Sequence, residues 1–343
     1  MRPPSLASRH RKVVLMRRNS PLRYSIGALV AVATLTASAC SSSTAGGSST
    51  AGGSSTGAKK LSSLLFVNPL PNYSQWKLIG QCMSAEAKTL GVPYTETGPT
   101  GVLNPVQMVQ EIQTGIADKA GAIVTFPASP AFGPVLQQAS KAGVITGTMY
   151  GGGGSATGDF NAGVDWNALG KLYVAALAGR PGVQRVGLLA VSPTGVGKAF
   201  IDGFQAAAAG NPNIKVEAVI YTNDDPATTL SETNALLLAH PDINVLASHM
   251  GTSTTPVISA IKAHGDAGKV VLLGNGANGG GSQGAQQGIV YRFLLQDLCT
   301  MGHEAVSTAA DIAAGKPASK SIVIGTVMAS LNNYQSYLAK GWM

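Results

Sequence analysis

The sequence is poor in charged and aromatic side chains, in cysteine and in long apolar segments. Asp, Glu, Lys and Arg make up 12% of its 343 residues and aromatic residues 6%, and there are three cysteines. Seven of the 24 Lys and Arg residues but none of the 16 Asp and Glu residues precede Cys40, so the rest carries 17 basic and 16 acidic side chains. It has no basic cluster, and a nucleic-acid partner is not expected. The five histidines lack metal-site spacing, so neither a metal nor another cofactor is expected.

The first 39 residues have the features of a secretory signal peptide. Their basic residues precede an apolar run at 26–37, and small residues then lead to Cys40. The run is shorter than the about 20 apolar residues that a membrane-spanning helix needs. Small residues directly before a cysteine resemble a bacterial lipobox. That resemblance implies cleavage before Cys40 and a lipid on its sulfur, which would anchor the chain to the outer face of the cell membrane. An ordinary signal peptide with a chance cysteine is the alternative, and translation could start at Met1 or Met16.

Residues 40–60 are predicted to be a flexible tether that follows the lipid site. Positions 41–57 consist only of Ser, Thr, Ala and Gly, a composition that cannot bury a core. Some twenty such residues reach roughly 25 Å as a random coil. The tether would therefore hold a folded domain clear of the lipid surface.

From residue 61 short apolar runs alternate with helical segments. The predicted strands are 64–67, 122–126, 144–148, 185–191, 215–221, 245–248 and 270–273, and the predicted helices are 74–90, 105–117, 132–141, 166–178, 197–208, 227–238 and 254–263. Regular alternation predicts right-handed βαβ units and parallel sheets. The 304 residues from Cys40 onward suit two domains.

Two glycine-rich segments, 150–158 and 274–288, interrupt this alternation. In a two-domain α/β chain they indicate crossings between lobes, and the alternative is a pair of long surface loops.

Cys82 and Cys299 are the cysteines left after the lipid site. An even pair in an exported chain favours a disulfide, because the bond persists outside the reducing cytosol. The alternative is two separate buried thiols.

Several short segments follow one another in a fixed order between residue 64 and about residue 317. They read NYSQW at 72–76, NPVQMVQEI at 104–112, VDWNALG at 164–170, NPNIKV at 211–216, HPDINV at 240–245 and LQD at 295–297. No single segment is specific. Together, their order and spacing resemble the type I periplasmic binding proteins, in particular the sugar-binding subgroup that serves ABC importers.

This resemblance implies an α/β fold with two Rossmann-like lobes, a three-segment hinge and a ligand cleft between the lobes. The N-terminal lobe would hold residues 61–163 and 291–317, and the C-terminal lobe residues 164–290 and 318–343. The segments that carry Cys82 and Cys299 would then share one lobe, which favours the disulfide. The chain is expected to be a monomer.

Ligands of open α/β sheets bind beyond the carboxyl ends of the strands, and the resemblance places ten candidate ligand-binding residues there. They are Tyr73, Trp76, Thr148, Met149, Lys198, Asp224, His249, Asn275, Gln296 and Asp297. The aromatic rings can stack on the C–H face of a sugar or cover an apolar ligand.

The candidate set departs from the family pattern. Thr148 and Met149 stand where the family often has an Asp-Arg pair, and Asn275 stands where it has an Asp. Hexose or pentose as the ligand is therefore not established, and a deoxysugar, a polyol or another small polar metabolite stays open. Lys198 could instead be a solvated lysine, His249 a structural histidine, and the segment after Asp224 a helix cap.

The expected function is that of a lipid-anchored extracytoplasmic solute-binding protein that delivers a small polar ligand to an ABC permease. The alternative is a receptor subunit that senses the same ligand for a signalling partner. An enzyme is not expected. Residues 193–198 make only half a phosphate loop, and the Gly-x-Ser-x-Gly matches at 53–57 and 280–284 lack the strand-to-helix turn of a nucleophile elbow.

Overall fold

The computed structural model describes residues 59–151 and 158–343. The predicted signal peptide, the lipid site at Cys40 and nearly all of the predicted tether lie outside the described residues, as does most of the first glycine-rich segment. Within the described ranges no helix is both long enough and apolar enough to cross a membrane.

Strands and helices alternate along the described chain, as the sequence predicts. The strands are β1 (Leu64–Val67), β2 (Tyr94–Thr97), β3 (Ala122–Thr125), β4 (Ile145–Met149), β5 (Phe160–Gly163), β6 (Gln184–Ala190), β7 (Ile214–Tyr221), β8 (Val245–Ser248), β9 (Val271–Asn275), β10 (Val290–Gln296), β11 (Ser321–Val323) and β12 (Thr326–Ala329). The helices are α1 (Ser74–Leu90), α2 (Pro105–Ala117), α3 (Phe132–Lys141), α4 (Trp166–Leu177), α5 (Gly195–Ala209), α6 (Pro226–Ala239), α7 (Thr254–Ala263), α8 (Ser282–Gln286), α9 (Leu298–Ala313) and α10 (Tyr334–Leu338).

The helix ends follow local sequence signals. Asn104 caps α2 by accepting a hydrogen bond from the Gln107 amide at 3.1 Å, and Pro105 occupies the first helical position. Helix α1 ends at Gly91, whose φ of 62° lies in the left-handed region that glycine adopts without strain.

The strands form two separate six-stranded sheets, which confirms the predicted two-lobed α/β fold. The first sheet has the order β11-β5-β4-β3-β1-β2 and is parallel throughout. The second has the order β12-β10-β9-β8-β6-β7, and only the edge strand β12 runs antiparallel to its neighbour. We call the first sheet and its helices the first lobe, and the second sheet and its helices the second lobe.

The chain passes between the lobes at three places: between β5 and α4, between β10 and α9, and between β11 and β12. The glycine-rich segments are not crossings, so that prediction is wrong. Strands β4 and β5 flank the first segment and share one sheet, and β9 and β10 flank the second and share the other.

Two predicted lobe boundaries also need correction. Strand β10 pairs with β9, so residues 291–296 belong to the second lobe, and β11 pairs with β5, so residues 321–323 belong to the first. Pairing with a distant strand decides lobe membership here, and the sequence of a short strand does not reveal its partner.

Helices α1 and α9 pack together in the first lobe and are joined by the Cys82–Cys299 disulfide, with the two Cα atoms 5.2 Å apart. The predicted bridge is confirmed. Gly302 of α9 allows the close approach, because a Cβ there would lie 2.8 Å from the Ile79 carbonyl oxygen of α1. The disulfide thus fixes the returning segment α9 to the lobe in which the described chain begins.

Candidate ligand-binding site

A cavity of about 170 Å³ lies between the two lobes. Both sheets contribute residues at or just after the carboxyl ends of their strands, where α/β folds bind ligands. Phe126 follows β3, Tyr150 follows β4, His249 follows β8, and Asn275 and Gln296 end β9 and β10. The start of α1 adds Tyr73, Gln75 and Trp76, and the start of α4 adds Trp166.

Six of the ten predicted residues line this cavity. They are Tyr73, Trp76, Asp224, His249, Asn275 and Gln296. The structure brings them together from four strand ends and one helix start, positions up to 223 residues apart in the sequence.

The structure places the other four predicted residues away from the cavity. Met149 is buried in the hydrophobic core, and the Thr148 hydroxyl lies 3.0 Å from Asn161 Oδ1, because β4 ends later than predicted. Lys198 is exposed on α5, where its ammonium pairs with Asp202 at 2.6 Å. Asp297 caps α9 by accepting a hydrogen bond from the Thr300 amide at 3.2 Å.

Aromatic side chains form one wall of the cavity and connect the lobes. The Trp76 ring lies 5.6 Å from the Phe126 ring and 5.8 Å from the Tyr150 ring, measured between centroids. Tyr150 in turn lies 5.9 Å from Trp166 of the second lobe. Such rings offer apolar faces to the C–H side of a ligand.

The sequence analysis missed Phe126, Tyr150 and Trp166 as cavity residues. The first two directly follow strands, so the rule that selected His249 could also have selected them. Trp166 follows β5, a four-residue strand that the sequence analysis did not recognise.

His249 is buried, with 4% of its surface exposed, and its ring packs between those of Trp166 (5.3 Å) and Phe200 (4.8 Å). Burial lowers its pKa to about 4, although a backbone hydrogen bond of the same residue acts in the opposite direction. The imidazole is therefore neutral near pH 7. Its Nε2 atom is buried without a hydrogen-bond partner.

Asn275 lies next to His249. Its Nδ2 donates a hydrogen bond to the His249 backbone carbonyl at 2.6 Å, while its Oδ1 is buried without a partner. At the hinge, the Tyr150 hydroxyl donates to Gln296 Oε1 at 2.8 Å and joins the two lobes.

Asp224 supplies the carboxylate of the cavity. It keeps contact with solvent, but neighbouring protein removes part of its hydration and so raises its pKa, while a hydrogen bond from Thr252 lowers it. Burial and the nearby Asp224 charge raise the pKa of Tyr73, which reaches across from the first lobe. Asn223 and Asp224 both have φ near 55°, at 52° and 58°, a region that Asn and Asp tolerate better than other non-glycine residues.

The lobes touch at glycines of the second lobe. A Cβ at Gly251 would lie 2.9 Å from the Tyr73 hydroxyl oxygen, and one at Gly276 would lie 3.3 Å from Gln75 Nε2. The absence of side chains there lets the start of α1 close over the cavity.

The described residues contain one group at metal-ligand distances, Cys82, Cys299 and His303. It lies on α1 and α9, away from the cavity, and its cysteines form the disulfide. A disulfide sulfur is not the thiolate that a metal requires. The cavity itself offers aromatic faces and hydrogen-bonding groups, which suit the binding of a small molecule.

Two largely parallel sheets that contribute their strand ends to such a cavity define a two-lobed solute-binding fold. A family model described as a periplasmic binding protein domain matches residues 64–317, and the chain belongs to this family. The predicted resemblance is thus confirmed. The family is one of binding proteins and not of enzymes, which confirms that prediction as well.

Solved structures share the fold. A glucose-galactose binding protein from Geobacillus stearothermophilus is similar with a TM-score of 0.74 and 20% identity, over 80% of this chain and 99% of its own. An ABC transporter solute-binding protein from Burkholderia graminis in complex with D-arabinose has a TM-score of 0.71 and 20% identity, over 82% and 98%. One from Agrobacterium vitis with bound D-fucose has a TM-score of 0.68 and 18% identity, over 81% and 99%. No curated protein matches the sequence.

Proposed function

We propose that the protein is a lipid-anchored extracytoplasmic solute-binding protein that captures a small polar ligand and delivers it to an ABC permease. The interlobe cavity carries this proposal, because both lobes contribute hydrogen-bonding groups and aromatic faces to it. Hinge closure around a ligand is a common motion of such folds.

Further observations support parts of the proposal. The signal-like N-terminus with Cys40 and the Ser/Gly-rich tether suit attachment to the outer face of a membrane. Similar structures were solved with D-arabinose and with D-fucose. A sugar, a deoxysugar or a polyol-like compound would fit a cavity that combines aromatic rings with polar strand ends.

The test is a ligand screen on the purified protein. We expect one or more compounds of a panel of sugars, polyols and amino acids to raise the melting temperature, because a ligand that binds only the folded state stabilises it. Small-angle X-ray scattering should show that the same compound favours the compact, closed form.

Variants then locate the binding site. Trp76→Ala should weaken binding of the hit by about tenfold or more, since it removes a ring that faces the cavity. Leu238→Ala is the control, because this side chain is 72% exposed on α6. Equal affinity of Trp76→Ala and the parent would rule out the cavity as the site, and no stabilisation by any compound would contradict the proposed function.

A further inference from the structure

One edge of the first lobe is strongly basic. The described residues of this lobe include eight lysines and no arginine, and seven of the lysines lie at the edge where the strands begin. These seven are Lys59, Lys60, Lys88, Lys119, Lys141, Lys316 and Lys320, and all are exposed. Three aspartates lie at the same edge, namely Asp118, Asp159 and Asp311. We call this surface the basic edge.

The topology of the lobe brings these lysines together. The parallel strands of βαβ units begin at one edge of the sheet, and the helices that connect them end at that edge. Lys60 and Lys320 precede β1 and β11, and Lys119 follows α2. Lys88 and Lys141 occupy the last turns of α1 and α3. Residues that are far apart in the sequence therefore share one surface.

A groove of about 570 Å³ lies in the basic edge. Its lining contains Lys59, Lys60 and Lys119 and, among the described residues, no Asp or Glu. Within the described part of the chain, Lys316 is the one lysine of the basic edge that forms an ion pair, with Asp311 at 3.0 Å. The other six lysines are therefore available to an anionic partner.

Helix dipoles account for only part of this pattern. A lysine in the last turn of a helix offsets the negative end of the helix dipole, which gives a structural reason for Lys88 and Lys141. Lys59, Lys60 and Lys320 belong to no helix, so this reason does not apply to them. The basic edge thus gathers more positive charge than its helix ends call for.

The described chain begins in the basic edge, at Lys59. Eighteen residues separate Lys59 from Cys40, the proposed lipid site, and a random coil of this length reaches roughly 25 Å. The basic edge is therefore the part of the first lobe to which the proposed anchor is joined. The interlobe cavity lies at the other, carboxyl ends of the strands.

Electrostatic attraction favours contact between such an edge and an anionic membrane. A basic residue close to an anionic membrane surface strengthens binding by about fivefold, and the attraction extends over about 10 Å at 0.1 M salt. Attachment of the same chain to the membrane raises the effective concentration of headgroups at the basic edge. Several individually weak contacts can then hold the edge on the surface.

From these observations we propose that the basic edge docks on the anionic headgroups of the membrane to which the chain is attached. Contact at this edge leaves the cavity, at the opposite ends of the strands, open to solution. The inference rests on the lipid attachment in the proposed function and adds a second surface that is separate from the ligand site.

The first test measures the contact without the lipid. The chain from residue 40 onward, with Cys40→Ser, is mixed with vesicles of phosphatidylglycerol and phosphatidylcholine or of phosphatidylcholine alone. At about 0.1 M salt it should sediment with the anionic vesicles and not with the neutral ones. At about 1 M salt, where the Debye length is about 3 Å, this binding should be lost.

A matched pair of variants locates the contact. Replacing Lys59, Lys60, Lys119 and Lys141 together by Gln should weaken binding to the anionic vesicles by at least about tenfold. The control replaces four exposed lysines of the second lobe by Gln, with the same change in net charge, and should bind within about twofold of the parent. These four are Lys171, Lys215, Lys262 and Lys269.

A footprint on the unaltered chain needs no lysine variant. Cys40 is coupled to a maleimide lipid in anionic or neutral vesicles, which reproduces the proposed attachment, and exposed lysines are then acetylated and quantified by mass spectrometry. The lysines of the basic edge should react more slowly on the anionic vesicles. Lys77, the eighth lysine of the lobe, lies near the start of α1 on the cavity side and should react equally on both.

Three results would overturn the inference: equal sedimentation with neutral and anionic vesicles, equal losses in the two quadruple variants, and unchanged acetylation of the basic edge. Binding to soluble polyphosphate but not to vesicles would assign the edge to a dissolved polyanion and would also overturn it. If the native chain carries no lipid at Cys40 but the vesicle tests succeed, the proposed anchor fails while the headgroup contact stands.

Discussion

At the scale of single residues, His249 shows how the fold sets the chemistry of a side chain. A histidine at a strand end in water would titrate near pH 6.5. Here Trp166, Phe200 and Asn275 surround it, none of them titratable, and Asp224 is the carboxylate that lines the same cavity. Burial lowers the pKa to about 4, so the side chain keeps a bare acceptor nitrogen at neutral pH.

This shift predicts a pH dependence of stability. Between about pH 4 and pH 6.5 the unfolded chain protonates this histidine while the folded chain does not. The stabilisation that comes from keeping His249 neutral is therefore lost as the pH drops from 6.5 toward 4, and it is fully present above pH 6.5. The loss due to His249 should amount to about 2–3 kcal/mol, measured by urea unfolding at pH 7 and pH 4.5.

His249→Phe should remove this part of the pH dependence of stability. The contribution of Asp224 cancels when the variant is compared with the wild type, because both proteins retain Asp224. Leu238→Ala, at an exposed position of α6, serves as the control and should keep the wild-type slope. If the His249→Phe and Leu238→Ala variants lost stability equally with falling pH, His249 would not be buried in its neutral form.

At the scale of elements, the contact between α4 and α5 depends on two glycines. A Cβ at Gly170 would lie 2.2 Å from the Phe200 carbonyl oxygen, and one at Gly203 would lie 2.1 Å from the Asn167 carbonyl oxygen. The obstructing atoms belong to the backbone and cannot rotate away. This close packing holds the start of α4, and with it Trp166, at the cavity.

Gly203→Ala should accordingly destabilise the protein by about 1–3 kcal/mol, because the helices must move apart. Chemical denaturation followed by circular dichroism measures the change. Gly210→Ala at the end of α5 is the matched control: its Cβ would lie 3.6 Å from the nearest atom, an ordinary contact, and stability should change by no more than about 0.5 kcal/mol. Equal stability of the two variants would mean that the helices do not pack this closely.

At the scale of the whole molecule, specific contacts join the two lobes beside the hinge and across the cavity. The Tyr150–Gln296 hydrogen bond and the Tyr150–Trp166 ring contact lie by the hinge, and Tyr73 meets Gly251 across the cavity. Lobes that are linked by a hinge can move relative to each other, so closure is an equilibrium that a change at one contact can shift.

Gly251→Ala should shift this equilibrium toward the open form, since the new methyl group would lie 2.9 Å from the Tyr73 hydroxyl oxygen. We expect ligand affinity to fall by about threefold to tenfold, the range for a cost of about 1 kcal/mol, with a larger radius of gyration in X-ray scattering. The double variant Gly251→Ala/Tyr73→Phe removes the obstructing oxygen and should recover the compact form. An unchanged radius in the single variant, or no recovery in the double one, would contradict this role of Gly251.

Much of the fold could be predicted from local patterns. The predicted helices 74–90, 105–117, 132–141 and 254–263 match the bounds of α1, α2, α3 and α7. The residues that cap each of these helices and the apolar residues that give it its periodicity lie close together in the sequence. Neighbouring residues therefore suffice to define these helices. The short strands β2, β5, β11 and β12 were missed because three or four residues carry little periodicity.

The candidate site could be predicted only in part. The strand-end rule located His249, Asn275 and Gln296, but it selected Thr148 and Met149 where the structure has Tyr150 at the cavity. Successive side chains of a strand point to opposite faces, so an error of one residue at a strand end replaces a cavity residue such as Tyr150 with a core residue such as Met149.

By itself, the sequence determined the alternation of strands and helices, the helix ends and a pair of cysteines able to form a bridge, because these depend on neighbouring residues or on residue type. Only the tertiary structure decided which sheet β10 and β11 join, which aromatic rings line the cavity, and how deeply His249 and Asn275 are buried. These features depend on which distant segments pair and how deeply a side chain is buried, and both are set by contacts between residues far apart in the chain.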